Sequence, residues 1–321
     1  LENFPVLVRI PAGRVADNSQ LAFFDENGTF LPYEIDTWNA NGESLVWVLV
    51  PSFYQNVKIT LASGNEGWTA PNLAHTLWRM AGYVAVLHLG EDGPEFAGST
   101  VQNIDGLGQL ANGTDAGVAN KVAGAVGPAR LISDTAGWDK ARIKVDNFEG
   151  YLDNLANMTV SLWAKHSAEL QVGDSERIFG NRSNLEDQAS GFNVSTYTGV
   201  TDKIPVLQAR GNPTLNSSAG LDKFIVVKPS TGTNVSWSDT WTHLSFSFNY
   251  TPNPTIFHIG GERAAISPNG SGNAIQTTAF ASILANDTPI SFGNSSDEGQ
   301  SGLGFKGAID EIRIRNGSVS D

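Results

Sequence analysis

The acidic side chains of this chain do not follow the spacing that glycoside hydrolysis requires. Such enzymes use two carboxylates on one face, often spaced Glu-x-Asp-x-x-Glu along a strand, and no such pattern occurs. Asp310 and Glu311 are adjacent, so a regular strand would place them on opposite faces, where they cannot act as a pair. Glu34 and Asp36 share a face; we expect a structural role near a sheet edge for them, with chemistry as the alternative.

Other catalytic residue types are also scattered. The five histidines form no His-x-x-x-His or His-Glu-x-x-His pair, which argues against a zinc hydrolase: His75, His88, His166, His243 and His258. His243 is expected at a core or sheet-edge position with a backbone partner. There is no Gly-x-Ser-x-Gly motif, no phosphate-binding loop and no cysteine. The chain is therefore not predicted to be an enzyme.

Sugar binding needs aromatic faces that stack on pyranose rings and polar side chains that hold hydroxyl groups. Trp138 lies in a turn context, and strand ends supply four further candidates for one rim: Asn181, Arg182, Tyr197 and Asn294. Ordinary surface exposure is the alternative for each of these residues. Trp163 and Trp241 fall inside strands and are predicted to be buried in the core, whereas Trp38 and Trp47 are predicted to pack the N-terminal domain.

Composition restricts the classes of partner. The 321 residues carry a formal charge of −13, and no cluster of Lys and Arg offsets it, so neither nucleic acid nor an anionic membrane surface is an expected partner. The longest apolar runs have the length of strands and are too short to insert into a membrane. The chain starts at Leu1, from which we expect a processed or truncated product whose signal peptide lies outside it.

Short strands separated by polar turns dominate the pattern, which predicts an all-β protein. Residues 1–70 form a compact β domain with strands such as 33–38 and 44–50, followed by a junction at 71–82 in which residues 72–80 favour one short helix. Residues 83–321 contain ten or more further short strands and indicate a large antiparallel sandwich. A glycine-rich stretch at about 90–127 is predicted to be irregular.

Four segments of the larger part resemble laminin-G-like jelly rolls. They occur in the order of that family: Met158–Lys165 (MTVSLWAK), Trp241–Leu244 (WTHL), Ile290–Asn294 (ISFGN) and Phe305–Ile314 (FKGAIDEIRI). The resemblance implies a concanavalin A-like antiparallel jelly roll over roughly residues 80–321, packed on the small N-terminal β-sandwich. The family's glycine-rich motif is degraded in this chain.

The N-terminal part resembles a bacterial family, domain of unknown function 2341. Five segments carry the resemblance: Phe4–Arg9, Leu21–Asp25, Leu31–Asn39, Val46–Pro51 and Gly64-Asn65. That family often precedes a laminin-G-like domain in exported or envelope proteins. The resemblance implies an extracellular or cell-envelope location and supplies no biochemical activity.

The jelly-roll resemblance also implies one calcium ion at a sheet edge. Asp92, after the first strand of the sandwich, and Asp310, in the last strand, come from elements that are neighbours in this family and could share the ion. The alternative is a solvated turn aspartate and a hydrogen-bonded strand aspartate.

Three functions remain open, and the fold-level resemblance ranks them. The first is a secreted glycan-binding or adhesion module whose partner is a glycan or a cell-surface protein. The second is a structural component of the envelope without a small ligand, and the third is a divergent polysaccharide hydrolase or lyase. The laminin-G-like assignment depends on two antiparallel layers from Tyr83 onward that seal Trp163 and Trp241 between them.

Overall fold

A computed structural model provides the fold. It describes residues 1–64, 67–69, 71, 73–90, 95–96, 101–102, 109–110, 113–116, 120–132, 142–145, 157–166, 175–180, 192–197, 206–211, 223–228, 239–249, 256–263, 265–266, 290–294 and 304–317.

The N-terminal unit consists of two small antiparallel sheets. Its strands are β1 (Glu2–Ile10), β2 (Ala22–Phe24), β3 (Tyr33–Thr37), β4 (Ser44–Ser52) and β5 (Thr60–Ala62). One sheet has the order β1-β4-β3, and β2 pairs with β5. The predicted strands 33–38 and 44–50 are thus confirmed to within two residues.

Strand β4 is buried on both faces because layers pack on each side of it. Val46 and Val48 belong to one core, against which Trp38 also packs as predicted. The alternate residues Leu45 and Trp47 belong to a second core. The prediction for Trp47 holds only in part, because its side chain points away from the N-terminal core toward the rest of the molecule.

The second core is completed by the helix α1 (Ala74–Met80) and the strand β6 (Tyr83–Leu87). Leu77 and Trp78 are fully buried, and the rings of Trp78 and Trp47 lie 5.7 Å apart. The short helix predicted for residues 72–80 is confirmed. Within the described residues, no helix has both the length and the apolar character needed to cross a membrane.

The larger part is built from short antiparallel strands. They are β7 (Glu95–Phe96), β8 (Val101–Gln102), β9 (Gln109–Leu110), β10 (Gly113–Ala116), β11 (Asn120–Ala123), β12 (Pro128–Leu131), β13 (Arg142–Val145), β14 (Asn157–His166), β15 (Ser175–Gly180), β16 (Phe192–Tyr197), β17 (Val206–Gly211), β18 (Lys223–Lys228), β19 (Thr242–Asn249), β20 (Ile256–Ile259), β21 (Glu262–Arg263), β22 (Ala265–Ile266), β23 (Ile290–Phe292) and β24 (Gly307–Asn316). Residues 90–127 were predicted to be irregular, but β7 to β11 lie there. They pair with one another and with β12 and β13, and this pairing supplies order that the local sequence does not indicate.

Sixteen of these eighteen strands form two large sheets, and β8 pairs separately with β9. One has the order β22-β18-β17-β16-β15-β23-β13-β10-β7 and is called here the β15 sheet. The other has the order β11-β12-β24-β14-β19-β20-β21, with β6 also paired on β24, and is called the β14 sheet. One core of buried residues joins the two sheets, and the rings of Phe179 and Phe246 meet across it at 6.4 Å. The predicted all-β, antiparallel, layered fold is confirmed.

The motif tryptophans lie outside this core, so the prediction that they are sealed between the sheets is wrong. In β14 the residues Leu162 and Ala164 are fully buried against the β15 sheet, and Trp163 therefore points to the opposite face. Trp163 and Trp241 are both partly exposed. A one-residue shift in a strand exchanges its faces, and here the aliphatic set fills the core. The structure shows an antiparallel β-sandwich and lends no specific support to a laminin-G-like assignment.

Candidate functional site

An open cleft of about 790 Å³ lies on the outer face of the β14 sheet. Trp163 from β14 and Trp241 from the segment before β19 line it, and Trp47 of the N-terminal unit forms part of its wall. The turn between β20 and β21 borders it with Gly260, Gly261 and Glu262. The cleft is therefore assembled from both parts of the chain.

The strand register arranges the side chains of this face in rows. Trp163 pairs with His243, and their rings meet edge to face at 5.2 Å. In the next row Ser161 lies between Arg313 on β24 and Ser245 on β19. Side chains directly opposite each other on one face are close enough to interact, so aromatic and polar groups alternate across the cleft.

His243 is held neutral at physiological pH. Burial, and then the positive charges of Arg313 and His258, lower the pKa of His243 to about 4. A neutral imidazole has one donor and one acceptor nitrogen. His243 can therefore both donate to and accept from a ligand hydroxyl group.

This shift predicts a pH-dependent stability. In the unfolded chain His243 binds a proton at the ordinary histidine pKa of about 6.5, whereas in the folded chain it binds one only near pH 4. The neutral side chain therefore contributes fully to the free energy of unfolding above about pH 6.5, and this contribution is lost as the pH falls toward about 4. The gap corresponds to at most about 3 kcal/mol. Urea unfolding of the wild type and of His243→Gln at pH 7 and pH 4 should show a smaller acid loss in the variant. His75→Gln is the comparison variant: burial and then Arg79 also lower the pKa of this exposed histidine, so His243→Gln should reduce the acid loss more. Equal acid losses in wild type and His243→Gln would contradict the expectation.

Arg313 forms the charged wall of the cleft. Its guanidinium lies 4.1 Å from the ring centre of Trp47 and 5.0 Å from that of Trp78. One nitrogen, Nη2, donates to Oε2 of Glu311 at 2.6 Å. Burial raises the pKa of Glu311, but the charges of His88 and Arg313 outweigh it and lower that pKa to about 2. Glu311 is therefore an ionised anchor for Arg313.

A β-bulge brings Asp310 and Glu311 to the same side, so the prediction that they face opposite sides is wrong. Ile309 and Ile312 both lie in the core, which leaves the two acidic residues between them outside it. Glu311 has a φ of 50°, and the pairing of β14 with β24 shifts register between Ser161 and Trp163. An extra residue in one strand breaks the strict alternation on which the prediction rested.

His88 links Glu311 of this bulge to Glu34 and Asp36 of β3, two residues that share a face as predicted. Nδ1 of His88 lies 2.7 Å from Oε1 of Glu311, and its Nε2 lies 3.1 Å from Oε2 of Glu34. The indole of Trp47 donates to Oδ2 of Asp36 at 3.1 Å. Burial lowers the pKa of His88, but the charges and hydrogen bonds of Glu311 and Glu34 hold it well above its ordinary value.

Burial also acts on the two aspartates of this junction. It raises the pKa of Asp36 to about 6, although the charge of His88 opposes the shift. Burial and the neighbouring charge of Glu311 raise the pKa of Asp310 to about 8, against hydrogen bonds from the backbone of Ala125 and Val126. The acidic groups therefore form a buried network between the N-terminal unit and the sandwich.

Of the residues predicted for the sugar rim, the structure describes Asn294 and the backbone of Tyr197, and both belong to the β15 sheet rather than to the sheet that carries this cleft. Asn294 follows β23 in the β15 sheet and is 2% exposed, and its carbonyl accepts from Ser291 Oγ. Tyr197 ends β16, also in the β15 sheet. Trp138, Asn181 and Arg182 lie outside the described residues.

The predicted calcium ligand Asp92 also lies outside the described residues. Its predicted partner, Asp310, is fully buried and accepts through Oδ2 from the backbone N–H of Val126 at 2.9 Å. The calcium site stays a prediction.

The cleft residues were missed although the strand pattern contains a signal for them. In β14 one face carries Val160, Leu162 and Ala164, whereas Trp163 shares the other face with Ser161 and Lys165. Polar neighbours at a spacing of two indicate an outward-facing tryptophan. No comparable local signal marks Trp47 or Arg313, since their contacts join distant parts of the chain.

Comparison with known proteins supports the N-terminal resemblance. Residues 17–80 match the family described as Domain of unknown function (DUF2341). This match covers a small part of the chain. No curated protein matches the sequence.

Similar solved structures are distant β-sandwich proteins. The Ruminococcus gnavus IT-sialidase CBM40 bound to alpha2,3 sialyllactose is 13% identical, with a TM-score of 0.41 over 60% of this chain and 91% of that chain. The binding domain of Paraclostridial Mosquitocidal Protein 1 is 16% identical, with a TM-score of 0.47 over 74% of this chain and 50% of that chain, so the match spans half of its length. Likenesses at this distance transfer neither a ligand nor an activity to this chain.

Proposed function

We propose that this protein is a carbohydrate-binding module whose binding site is the cleft on the β14 sheet. The observation that carries the proposal is the pair of partly exposed tryptophans, Trp163 and Trp241, on one cleft surface. In this proposal residues 83–321 carry most of the site, and the N-terminal β domain of residues 1–70 adds a wall across the junction at 71–82.

The side chains of the cleft suit a sugar. An indole face covers the apolar C–H face of a pyranose ring and gains dispersion and hydrophobic energy, while the ring hydroxyls need hydrogen-bond partners around it. His243 offers a donor and an acceptor, Arg313 is a permanent donor, and Glu262 is an acceptor at the rim. Lys165 Nζ lies 5.8 Å from the ring centre of Trp241, which places a further donor beside that indole.

The electrostatics of the wall favour binding over hydrolysis. Cleavage of a glycosidic bond needs a carboxylic acid that stays protonated near neutral pH. The pKa of Glu311 on the cleft wall is lowered to about 2, so it cannot act as that acid. Asp310 has a pKa raised to about 8, but its carboxylate contacts the turn before β12 and does not line the cleft. A hydrolase or lyase is therefore the weaker alternative.

The setting we propose is extracellular or in the cell envelope, where glycans are available as partners. An adhesion role toward a cell-surface protein and a purely structural role in the envelope are the competing proposals. The purely structural role does not call for indole faces open to solvent beside hydrogen-bonding groups, and the glycan-binding test below separates a sugar ligand from a protein partner.

A glycan array followed by calorimetric titration of the best hit tests the proposal. The wild type should bind, and Trp163→Ala and Trp241→Ala should each weaken binding at least about tenfold, since one stacked ring contributes roughly 1–3 kcal/mol. Tyr54→Ala is the matched control, because Tyr54 is an exposed aromatic on the N-terminal unit. It lines a separate open groove of about 610 Å³.

Three outcomes would contradict this site assignment. A folded protein that binds no glycan would favour the structural role. Binding that survives both tryptophan substitutions would place the ligand elsewhere. Loss of binding in Tyr54→Ala alone would move the site to the N-terminal groove.

A further inference from the structure

A compact set of metal-binding atom types is buried where the N-terminal unit meets the sandwich. Asp36, His88 and Glu311 each contribute one nitrogen or carboxylate oxygen, and these atoms lie within 4.8 Å of one another. His88 Nδ1 is 2.7 Å from Glu311 Oε1 and 3.5 Å from Asp36 Oδ2. The residues come from β3, from the segment after β6 and from β24, so tertiary structure alone assembles the set.

Several carboxyl groups are concentrated at this junction. Arg313 contacts the set as a permanent cation and binds Glu311 at 2.6 Å. His88 supplies a second positive charge only by binding a proton. Three carboxylates contact these two side chains, those of Glu34, Asp36 and Glu311, and Asp310 lies beside Glu311 and Asp36. Buried carboxylates are costly unless cations or hydrogen-bond donors compensate them.

An unpartnered oxygen of Asp310 is a separate observation that points to a missing ligand. Asp310 is fully buried, and its Oδ1 has no hydrogen-bond partner among the described residues. One turn touches both aspartates: a Cβ on Gly124 would lie 2.4 Å from Asp310 Oδ2, and one on Gly127 would lie 3.3 Å from Asp36 Oδ1. Asp310 therefore lies beside the set, since the charges of Glu311 and Asp36 both raise its pKa, and leaving its Oδ1 unpaired is costly.

We propose that Asp36, His88 and Glu311 bind one divalent transition-metal ion, for which Zn²⁺ is the best fit. Zinc binds imidazole nitrogen and carboxylate oxygen at about 2.0–2.2 Å in a tetrahedron, which separates neighbouring donors by about 3.3 Å. The separations of 2.7 and 3.5 Å bracket this value. Ca²⁺ takes six to eight oxygen ligands and does not favour imidazole, so this site differs from the one predicted at Asp92 and Asp310.

The ion would displace the second imidazole proton of His88, so that two positive charges replace one beside this group of carboxylates. A water molecule in the fourth position would form a hydrogen bond with Asp310 Oδ1, which would satisfy the unpartnered oxygen. Because the ligands join the N-terminal unit to the sandwich, bound metal would stabilise the folded chain. The inference does not depend on glycan binding.

The test uses the whole chain stripped with EDTA and dialysed. Calorimetric titration with Zn²⁺ should give one ion per chain, and saturating Zn²⁺ should raise Tm by about 5 °C. Co²⁺ should bind at the same site and show the absorption bands of a tetrahedral nitrogen–oxygen environment. Asp36→Asn and His88→Gln should each lower the affinity at least about tenfold.

Matched controls separate this site from surface binding and from misfolding. His75→Gln and Asp25→Asn change residues of the same types elsewhere in the chain, His75 being exposed and Asp25 partly exposed, and both variants should bind Zn²⁺ as the wild type does. Asp36→Asn keeps the size of the side chain, and its circular dichroism spectrum verifies folding. The proposal is overturned if the wild type binds no stoichiometric Zn²⁺ or if Asp36→Asn binds it unchanged. Binding of Ca²⁺ without binding of Zn²⁺ would also overturn it.

Discussion

Arg313→Leu is expected to destabilise the protein by about 3–5 kcal/mol at pH 7. The substitution leaves Glu311 ionised at 2% exposure without one of its two cationic partners, and an uncompensated buried charge costs about that much. It also removes the guanidinium that packs on the rings of Trp47 and Trp78. Denaturant unfolding of the wild type and of Arg313→Leu at equal ionic strength measures this loss of stability.

The N-terminal unit provides a control with the same geometry. Arg9 binds Glu43 at 2.6 Å, the distance at which Arg313 binds Glu311, but these side chains are 54% and 49% exposed. Water screens this pair, so Arg9→Leu is expected to cost less than about 1 kcal/mol. If both variants lost the same free energy of unfolding, burial would not determine how much the Arg313–Glu311 pair contributes to stability.

Phe292→Ala is expected to cost about 3–5 kcal/mol, several times more than Trp163→Ala. Phe292 is fully buried between the two sheets and stacks on Phe179 at 5.7 Å, so truncation leaves a cavity in a packed core. Trp163 is larger, but it lies on the outer face of the β14 sheet and is partly exposed. We expect its truncation to cost about 1 kcal/mol.

Thermal and urea unfolding of the two variants decide between the core and cleft placements of Trp163. If Trp163→Ala destabilises as much as Phe292→Ala, the tryptophan belongs to the core and the cleft loses its main aromatic surface. If it is well tolerated while glycan binding is lost, stability and binding reside on opposite faces of the same strand.

The sequence pattern predicts some of the structural features behind these two predictions and not others. The strands of β3, β4 and β14 and the helix α1 follow from alternation and turn residues, because those signals act over a few neighbouring residues. Binary alternation also divides β14 into its two faces. It does not state which face meets the core, and the assumption that the larger aromatic residue does so was wrong for Trp163.

The buried network could not be predicted from any local pattern. His88 meets Glu311 across 223 residues of sequence and Glu34 across 54. The bulge at Glu311 reverses the expected facing of two adjacent carboxylates, and a regular strand gives no indication of it. Only the packing of the N-terminal unit on the β14 sheet places these groups together.

The amino-acid sequence by itself determined the all-β class, the short helix at the junction, the similarity of the N-terminal part to DUF2341 and the lack of a recognisable catalytic motif. These properties depend on local periodicity and on residue types. The tertiary structure alone decided the location of the cleft, the outward face of Trp163 and the pairing of His88 with distant carboxylates. Such contacts arise because sheet register and domain packing bring together side chains whose interaction no short stretch of sequence encodes.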